Sequence, residues 1–109
     1  MAGARDAVSG LRAVLRDVID LLEAHGDTHV VRRLVDDDQR LASGDYSSIH
    51  SVIAEATGSM GALNDRIISL KNGDRIDLTE EGAVNAHLVA LVLELKDKAI
   101  KARAVISTL

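Results

Sequence analysis

The sequence predicts an all-α protein, a four-helix up-down bundle with a short loop or β-hairpin before a long C-terminal helix. Apolar residues recur at helical spacing through most of the 109 residues. The pattern stops and restarts at Gly26-Asp27 and at Gly44-Asp45, and such short links turn consecutive helices back on one another. The chain contains no proline, which a nearly all-helical chain with short connections can tolerate. The length fits one domain, residues 1–109.

The first helix is predicted from about Ala4 to Ala24, because six apolar residues fall on one helical face: Leu11, Val14, Leu15, Val18, Leu21 and Leu22. Gly26 suits the left-handed position that follows a helix, and Asp27 suits the cap of the next helix.

The second helix is predicted from Thr28 to Ala42. Its buried positions are Val31, Leu34, Val35 and Leu41. The third is predicted from Tyr46 to about Thr57, after Asp45 as its cap. Its apolar positions are Ile49, Val52, Ile53 and Ala56.

The segment before the last helix leaves two alternatives open. Asn72-Gly73 is the commonest two-residue hairpin turn, so residues 67–71 and 74–78 would be the strands of a β-hairpin. The alternative is a short helix that ends at Gly73 and is followed by an extended loop. This loop version is favoured because Asn64 or Asp65 can cap such a helix.

The last helix, predicted from Thr79 to Leu109, is apolar nearly all the way round between His87 and Leu93. A helix that is apolar on every side needs cover on every side. Thirty residues of helix are about 45 Å long, whereas a globule of this size is about 35 Å across. The helix should therefore overhang, break near Lys96 or be covered by a partner, and a homodimer is favoured. The predicted dimer interface consists of Leu88, Leu91, Val92 and Leu95.

The composition, 47% hydrophobic and 28% charged, is that of an ordinary soluble globular protein. The net charge of −4 argues against non-specific binding of nucleic acid. No stretch reads as a signal peptide or a membrane span, so a cytoplasmic location is expected. The absence of cysteine excludes disulfides, thiolate metal sites and cysteine nucleophiles. No cofactor is predicted.

The histidines do not predict a metal site. His25 and His29 are four residues apart and would share an ion on a continuous helix, but Gly26-Asp27 interrupts it. His50 lies among several serines without the context of a nucleophile elbow. No catalytic residue is therefore predicted.

Two regions are predicted to bind a protein partner. Asp36 and Asp37 belong to an acidic run in the second helix, which a basic partner would recognise; the alternative is a solvated face. Met60, Asn64 and Asp65 belong to a loop rich in glycine and small residues. The alternative for this loop is tight packing between helices.

Four landmarks occur in order along the chain: residues 21–29, 44–46, 60–65 and 72–73. Their order and spacing resemble a family of small, mostly helical bacterial proteins that carry a domain of unknown function. The resemblance covers about half of the chain. It implies a helical fold, no established activity and a shared functional surface at the loop from Met60 to Asp65. Aromatic residues common in that family are replaced here by Val30 and Leu63.

The sequence therefore predicts a protein–protein interaction module without catalysis, such as an adaptor, a regulator or a toxin-neutralising protein. The alternative is a small-ligand or metal-dependent enzyme that uses His25, His29, Asn64 and Asp65. This alternative requires the four side chains to meet in one pocket.

Overall fold

The structure, a computed structural model, describes residues 2–58 and 61–107, and these residues are all-α as predicted. Its four α-helices are α1 Ala2–Ala24, α2 His29–Ala42, α3 Ser48–Thr57 and α4 Glu81–Ser107. Three short 3-10 turns connect α3 to α4: Leu63–Asp65, Leu70–Asn72 and Leu78–Glu80. The helices that the periodicity predicts begin and end within a few residues of these bounds.

The helices form a bundle in which α4 packs along α1 and α3, and α2 packs against both α1 and α3. Arg33 of α2 pairs with Glu55 of α3, and one turn further along α2 Asp37 accepts a hydrogen bond from Ser51. Because the later residue in α2 contacts the earlier residue in α3, these two helices run antiparallel. Such pairing is what the short link between them dictates.

The core is aliphatic because the chain has no Phe or Trp and a single Tyr. Every helix and the long connection supply fully buried side chains, among them Leu11, Leu15, Leu34, Val52, Leu63, Ile68, Leu88 and Leu95. The connection is therefore part of the core and not a detached loop.

The molecule is elongated, with extents of 47 × 22 × 21 Å. The 27 residues of α4 are about 40 Å long, so the helix fits along the long axis and continues unbroken past Lys96. The expectation that the helix overhangs or breaks assumed a spherical protein, and the elongated shape of the molecule explains the difference. The 23-residue α1 packs against it and covers one side.

The β-hairpin alternative for the connection is wrong, since the described residues contain no strand. The loop alternative is correct in outline: a single 3-10 turn ends at Gly73, whose φ is 85°. The side chain of Asn85 in α4 explains the outcome. Its amide accepts a hydrogen bond from the Ile68 N–H and donates one to the Ile68 carbonyl, both at 2.8 Å. The backbone groups that a neighbouring strand would use are therefore already bound.

Candidate interaction surface

The four side chains predicted to form a dimer interface lie inside the chain's own core. Leu88, Leu91, Val92 and Leu95 are 2%, 7%, 6% and 0% exposed. They cover the face of α4 that packs on α1 and α3. This corrects the predicted interface, because buried side chains offer no surface to a second copy.

A second face of α4, the outer stripe, is exposed along its whole length. Its positions follow one another at alternating intervals of four and three residues, which keeps them on one side of a helix. They are Gly82, Ala86, Val89, Leu93, Lys96, Ile100, Arg103 and Ser107. Val89 is 59% exposed, Leu93 62% and Ile100 38%. The apolar middle of the helix therefore consists of one buried face and one face open to solvent.

Two hollows adjoin the outer stripe on the side where α3 and the first 3-10 turn lie. The Val89 hollow, which Leu63, Asn64, Arg66 and Leu93 also line, is small, about 60 Å³. The Ile100 hollow is larger, about 560 Å³. Its lining includes Tyr46, Ile49, His50, Ile100, Arg103 and Ala104. The two hollows lie one after the other along the same helix.

Among the described residues predicted to bind a partner in this loop, Asn64 lies beside this face of α4. Asn64 is exposed and lines the Val89 hollow, and its amide donates a 3.2 Å hydrogen bond to the Gly58 carbonyl. Asp65 is exposed beside it, with its carboxylate 3.5 Å from the Gly61 nitrogen. Met60 lies outside the described residues.

A buried carboxylate that periodicity alone did not reveal holds this loop in place. Glu55 of α3 accepts a 2.9 Å hydrogen bond from the Leu63 N–H and a 2.6 Å bond from Arg33 Nε. Arg33 also donates to the Gly61 carbonyl at 2.8 Å. The hydrogen bond to Glu55 raises the pKa of Arg33. In the sequence, Glu55 follows the buried Val52 by three residues and so lies on the same face of α3, which is the signal for this contact.

A second ionic cluster ties the connection to the turn between α1 and α2. Arg66 Nε contacts the Asp27 carboxylate at 2.8 Å, and the same guanidinium binds Asp74. Asp27 also accepts hydrogen bonds from Val30 and Val31 at the start of α2, at 3.0 and 3.1 Å. Its predicted capping role is thus confirmed. The hydrogen bond from Arg66 lowers the pKa of Asp74.

The acidic run of α2, Asp36-Asp37-Asp38, has one exposed and one buried carboxylate. Asp36 is exposed, as a partner surface requires. Asp37 is 2% exposed, so it cannot contact a partner, which corrects that prediction. Burial raises the pKa of Asp37 to about 6. Asp38 pairs with Arg12 at 2.8 Å and Arg16 at 3.4 Å, both on α1.

The four residues of the enzyme alternative do not share a pocket. The groove that contains His29 is lined by Gly61, Arg66 and Asp74, and His25, Asn64 and Asp65 are not part of it. His25 Nδ1 donates instead to the Arg75 carbonyl at 2.6 Å. The described residues hold no group of three or more His, Asp or Glu side chains placed to bind a metal ion.

None of the helices in residues 2–58 and 61–107 has the length and apolarity that a membrane span requires. Comparisons of the chain with models of protein families, with curated proteins and with solved structures find no match. Its function is therefore inferred from its own surface.

Proposed function

We propose that the protein is a protein–protein interaction module that binds through the outer stripe of α4. The observation that carries the proposal is the exposure of Val89 and Leu93, at 59% and 62%, one turn apart on one helix. Exposed apolar side chains that adjoin one another are a feature of protein-binding surfaces. The same helix has a complete buried face, so these side chains are not needed for the core.

The surroundings of the two residues suit a protein partner. At the Val89 hollow, Asn64 and Arg66 lie at the edge of the apolar side chains. At the Ile100 hollow, His50 and Arg103 lie beside the apolar lining. An apolar centre with a polar rim is the usual composition of a protein interface. Polar groups at the edge supply orientation, while the centre supplies the apolar area removed from water.

The surface is also held in shape before any partner arrives. Glu55 fixes the backbone at Leu63, and Arg66 is fixed by Asp27 and Asp74. A binding site that is already ordered loses little conformational entropy on association. This rigidity supports a role as an adaptor, a regulator or a toxin-neutralising protein, each of which acts by surface complementarity and without catalysis. The exposed Asp36, on α2 and away from the outer stripe, is a second contact point for a basic partner.

Photocrosslinking from the outer stripe tests the proposal. Benzoylphenylalanine placed at Leu93 in living cells of the source organism should give a discrete crosslinked product, which mass spectrometry identifies. The matched control places the same group at Ala13, which is exposed on α1. Crosslinks from both positions to the same mixture of proteins, or from neither, would contradict the proposal.

A further inference from the structure

We infer that the protein has a second binding site, for a phosphate monoester, in a hollow between α1 and the link that joins α2 to α3. This Arg5 hollow has a volume of about 370 Å³, within the range of about 300–1,000 Å³ that is usual for small-ligand sites. Arg5, Val8, Ser9 and Arg12 of α1 form one side of it, and residues 41–44 and Tyr46 form the other. None of its lining residues belongs to α4, so the site is separate from the outer stripe.

The charge of the Arg5 hollow is opposite to that of the whole protein. The chain has a net charge of −4, yet the described residues that line this hollow include two arginines and no acidic side chain. Arg5, Ser9 and Arg12 follow one another at intervals of four and three residues, which places them on one face of α1. A phosphate monoester carries a charge of about −1.5 to −2 at neutral pH. The hollow therefore attracts such a ligand in a protein that otherwise repels anions.

Several side chains of the hollow offer N–H or O–H donors that are not yet used. Within the described residues, Arg5 has no carboxylate partner, and the hydroxyl groups of Ser9 and Tyr46 make no hydrogen bond. Arg12 donates to Asp38 from Nε at 2.8 Å and from Nη2 at 3.4 Å. These bonds orient the Arg12 guanidinium and leave its Nη1 group for a ligand. Guanidinium and hydroxyl donors are the groups that proteins use to bind phosphate oxygens.

The groups near the hollow that would repel an anion already have partners. Two guanidinium groups of α1 hold Asp38, at 2.8 and 3.4 Å. Asp45 accepts a 3.1 Å hydrogen bond from Arg40 Nε. The carbonyls of Arg40 and Leu41, at the negative end of the α2 dipole, accept hydrogen bonds from the N–H groups of Asp45 and Gly44 at 2.9 and 3.2 Å. The polar groups left unbound in the hollow are therefore mainly donors.

The size and the floor of the hollow favour an ester over a bare phosphate ion. A phosphate ion is far smaller than 370 Å³, so a bound phosphate group leaves room beside it. Val8 and Leu41, which are 5% and 2% exposed, make the floor of this room apolar. The organic part of a monoester would pack there while its phosphate group contacts Arg5 and Arg12.

A titration followed by nuclear magnetic resonance tests the inference. The probe is glycerol 3-phosphate, added to the protein at an ionic strength held constant with sodium chloride. The Nε–H signals of Arg5 and Arg12 and the backbone N–H signals of Ser9 and Gly44 should shift and reach saturation. Shifts that grow without saturation, or that are as large at Arg32, would show only general attraction of anions and overturn the inference.

Substitution of Arg5 tests which groups bind the ligand. Arg5→Gln should weaken binding of glycerol 3-phosphate about ten-fold or more, because it removes charge-assisted hydrogen bonds to the phosphate group. Arg5 is exposed, so the variant should fold as the wild type does. Arg32→Gln is the matched control, since Arg32 is also exposed but lies in a hollow that Glu23 and Asp36 line. Equal effects of the two variants would overturn the inference.

A second probe distinguishes two sources of the phosphate ester. A short peptide that contains phosphoserine should bind at least ten-fold more tightly than glycerol 3-phosphate if the natural ligand is a modified protein. Glycerol 3-phosphate should bind as tightly or more tightly if the ligand is a small metabolite. Either result supports a phosphate-ester site, and the absence of saturable binding by both probes would overturn it. That failure would leave the proposed function unaffected, because the outer stripe contributes no residue to the Arg5 hollow.

Discussion

Ser51 donates a 3.1 Å hydrogen bond to the carboxylate of Asp37 across the interface between α2 and α3. Asp37 is 2% exposed, and burial raises its pKa to about 6, although the Ser51 hydrogen bond opposes the shift. Arg33 and Arg40, one turn away on either side of Asp37 in α2, pair with other carboxylates. This interface therefore contains an acid whose ionised form the fold disfavours.

Replacing Asp37 should change how stability depends on pH. The carboxyl group titrates near 3.8 when unperturbed and near 6 in the fold. Between these values the folded state binds more protons, so the contribution of Asp37 to the free energy of unfolding falls as pH rises from about 4 to about 6. Asp37→Asn removes this loss and should be more stable than wild type by about 3 kcal/mol at pH 7, with little difference at pH 3.5.

Urea unfolding of both proteins across this pH range measures the effect. Asp36→Asn, which alters the exposed neighbouring carboxylate, is the control and should show a much smaller pH-dependent gain, because the charge of Asp36 is only a minor cause of the raised pKa of Asp37. An Asp37→Asn effect of equal size at every pH would contradict the assignment.

Removing Arg66 should strongly destabilise the fold. Arg66→Met leaves the Asp27 and Asp74 carboxylates without their cation, and their side chains are only 4% and 6% exposed. Breaking a buried ion pair from one side costs about 3–5 kcal/mol. Arg40→Met removes a guanidinium that pairs with exposed carboxylates and should hardly move the urea midpoint. Equal effects of the two variants would refute the structural role of Arg66.

Two glycine-to-alanine changes should have opposite signs. A Cβ at Gly58 would collide with the Ala54 carbonyl oxygen and lie 2.9 Å from Ala62 Cβ, so Gly58→Ala should destabilise by about 1–3 kcal/mol. A Cβ at Gly10, inside α1, meets nothing within 4 Å. Gly10→Ala should therefore stabilise by about 0.5–1 kcal/mol through helix propensity. Thermal melts of both variants provide the measurement, and the same sign for both would contradict the packing at Gly58.

Leucines two positions apart on α4 should differ in their contribution to folding. Leu95 is fully buried, so Leu95→Ala should cost about 2–5 kcal/mol. Leu93 is 62% exposed, and Leu93→Ala should cost less than about 0.5 kcal/mol when measured at protein concentrations low enough to exclude dimers. A large loss for Leu93→Ala at such dilution would place that side chain in the core and remove it from the interaction surface.

The sequence predicted the four helices because each has a regular apolar period that needs no information from elsewhere in the chain. It could not show which apolar face of α4 is buried, since Leu91 and Leu93 are the same residue type and only the position of α1 distinguishes them. The conformation around Ile68 also depends on a distant partner, the Asn85 amide 17 residues away. Local pattern left that segment open for this reason.

The sequence indicated only part of the candidate surface, because the rest depends on how the helices pack against one another. Glycine and small residues indicated the loop, and the structure brings Asn64 of that loop beside α4. The sequence could not show which aspartate of the run turns inward, because three consecutive aspartates have the same composition on either side of a helix. Its burial depends on how α2 rotates against α3.

Tyr46, the one aromatic residue in the sequence, lines the Ile100 hollow. Ultraviolet emission from the unlabelled protein therefore comes from a single phenol at that place, with no tryptophan to obscure it. If a bound partner covers the hollow, its release should expose the ring to water and to soluble quenchers. The protein thus carries its own spectroscopic reporter of binding at that hollow.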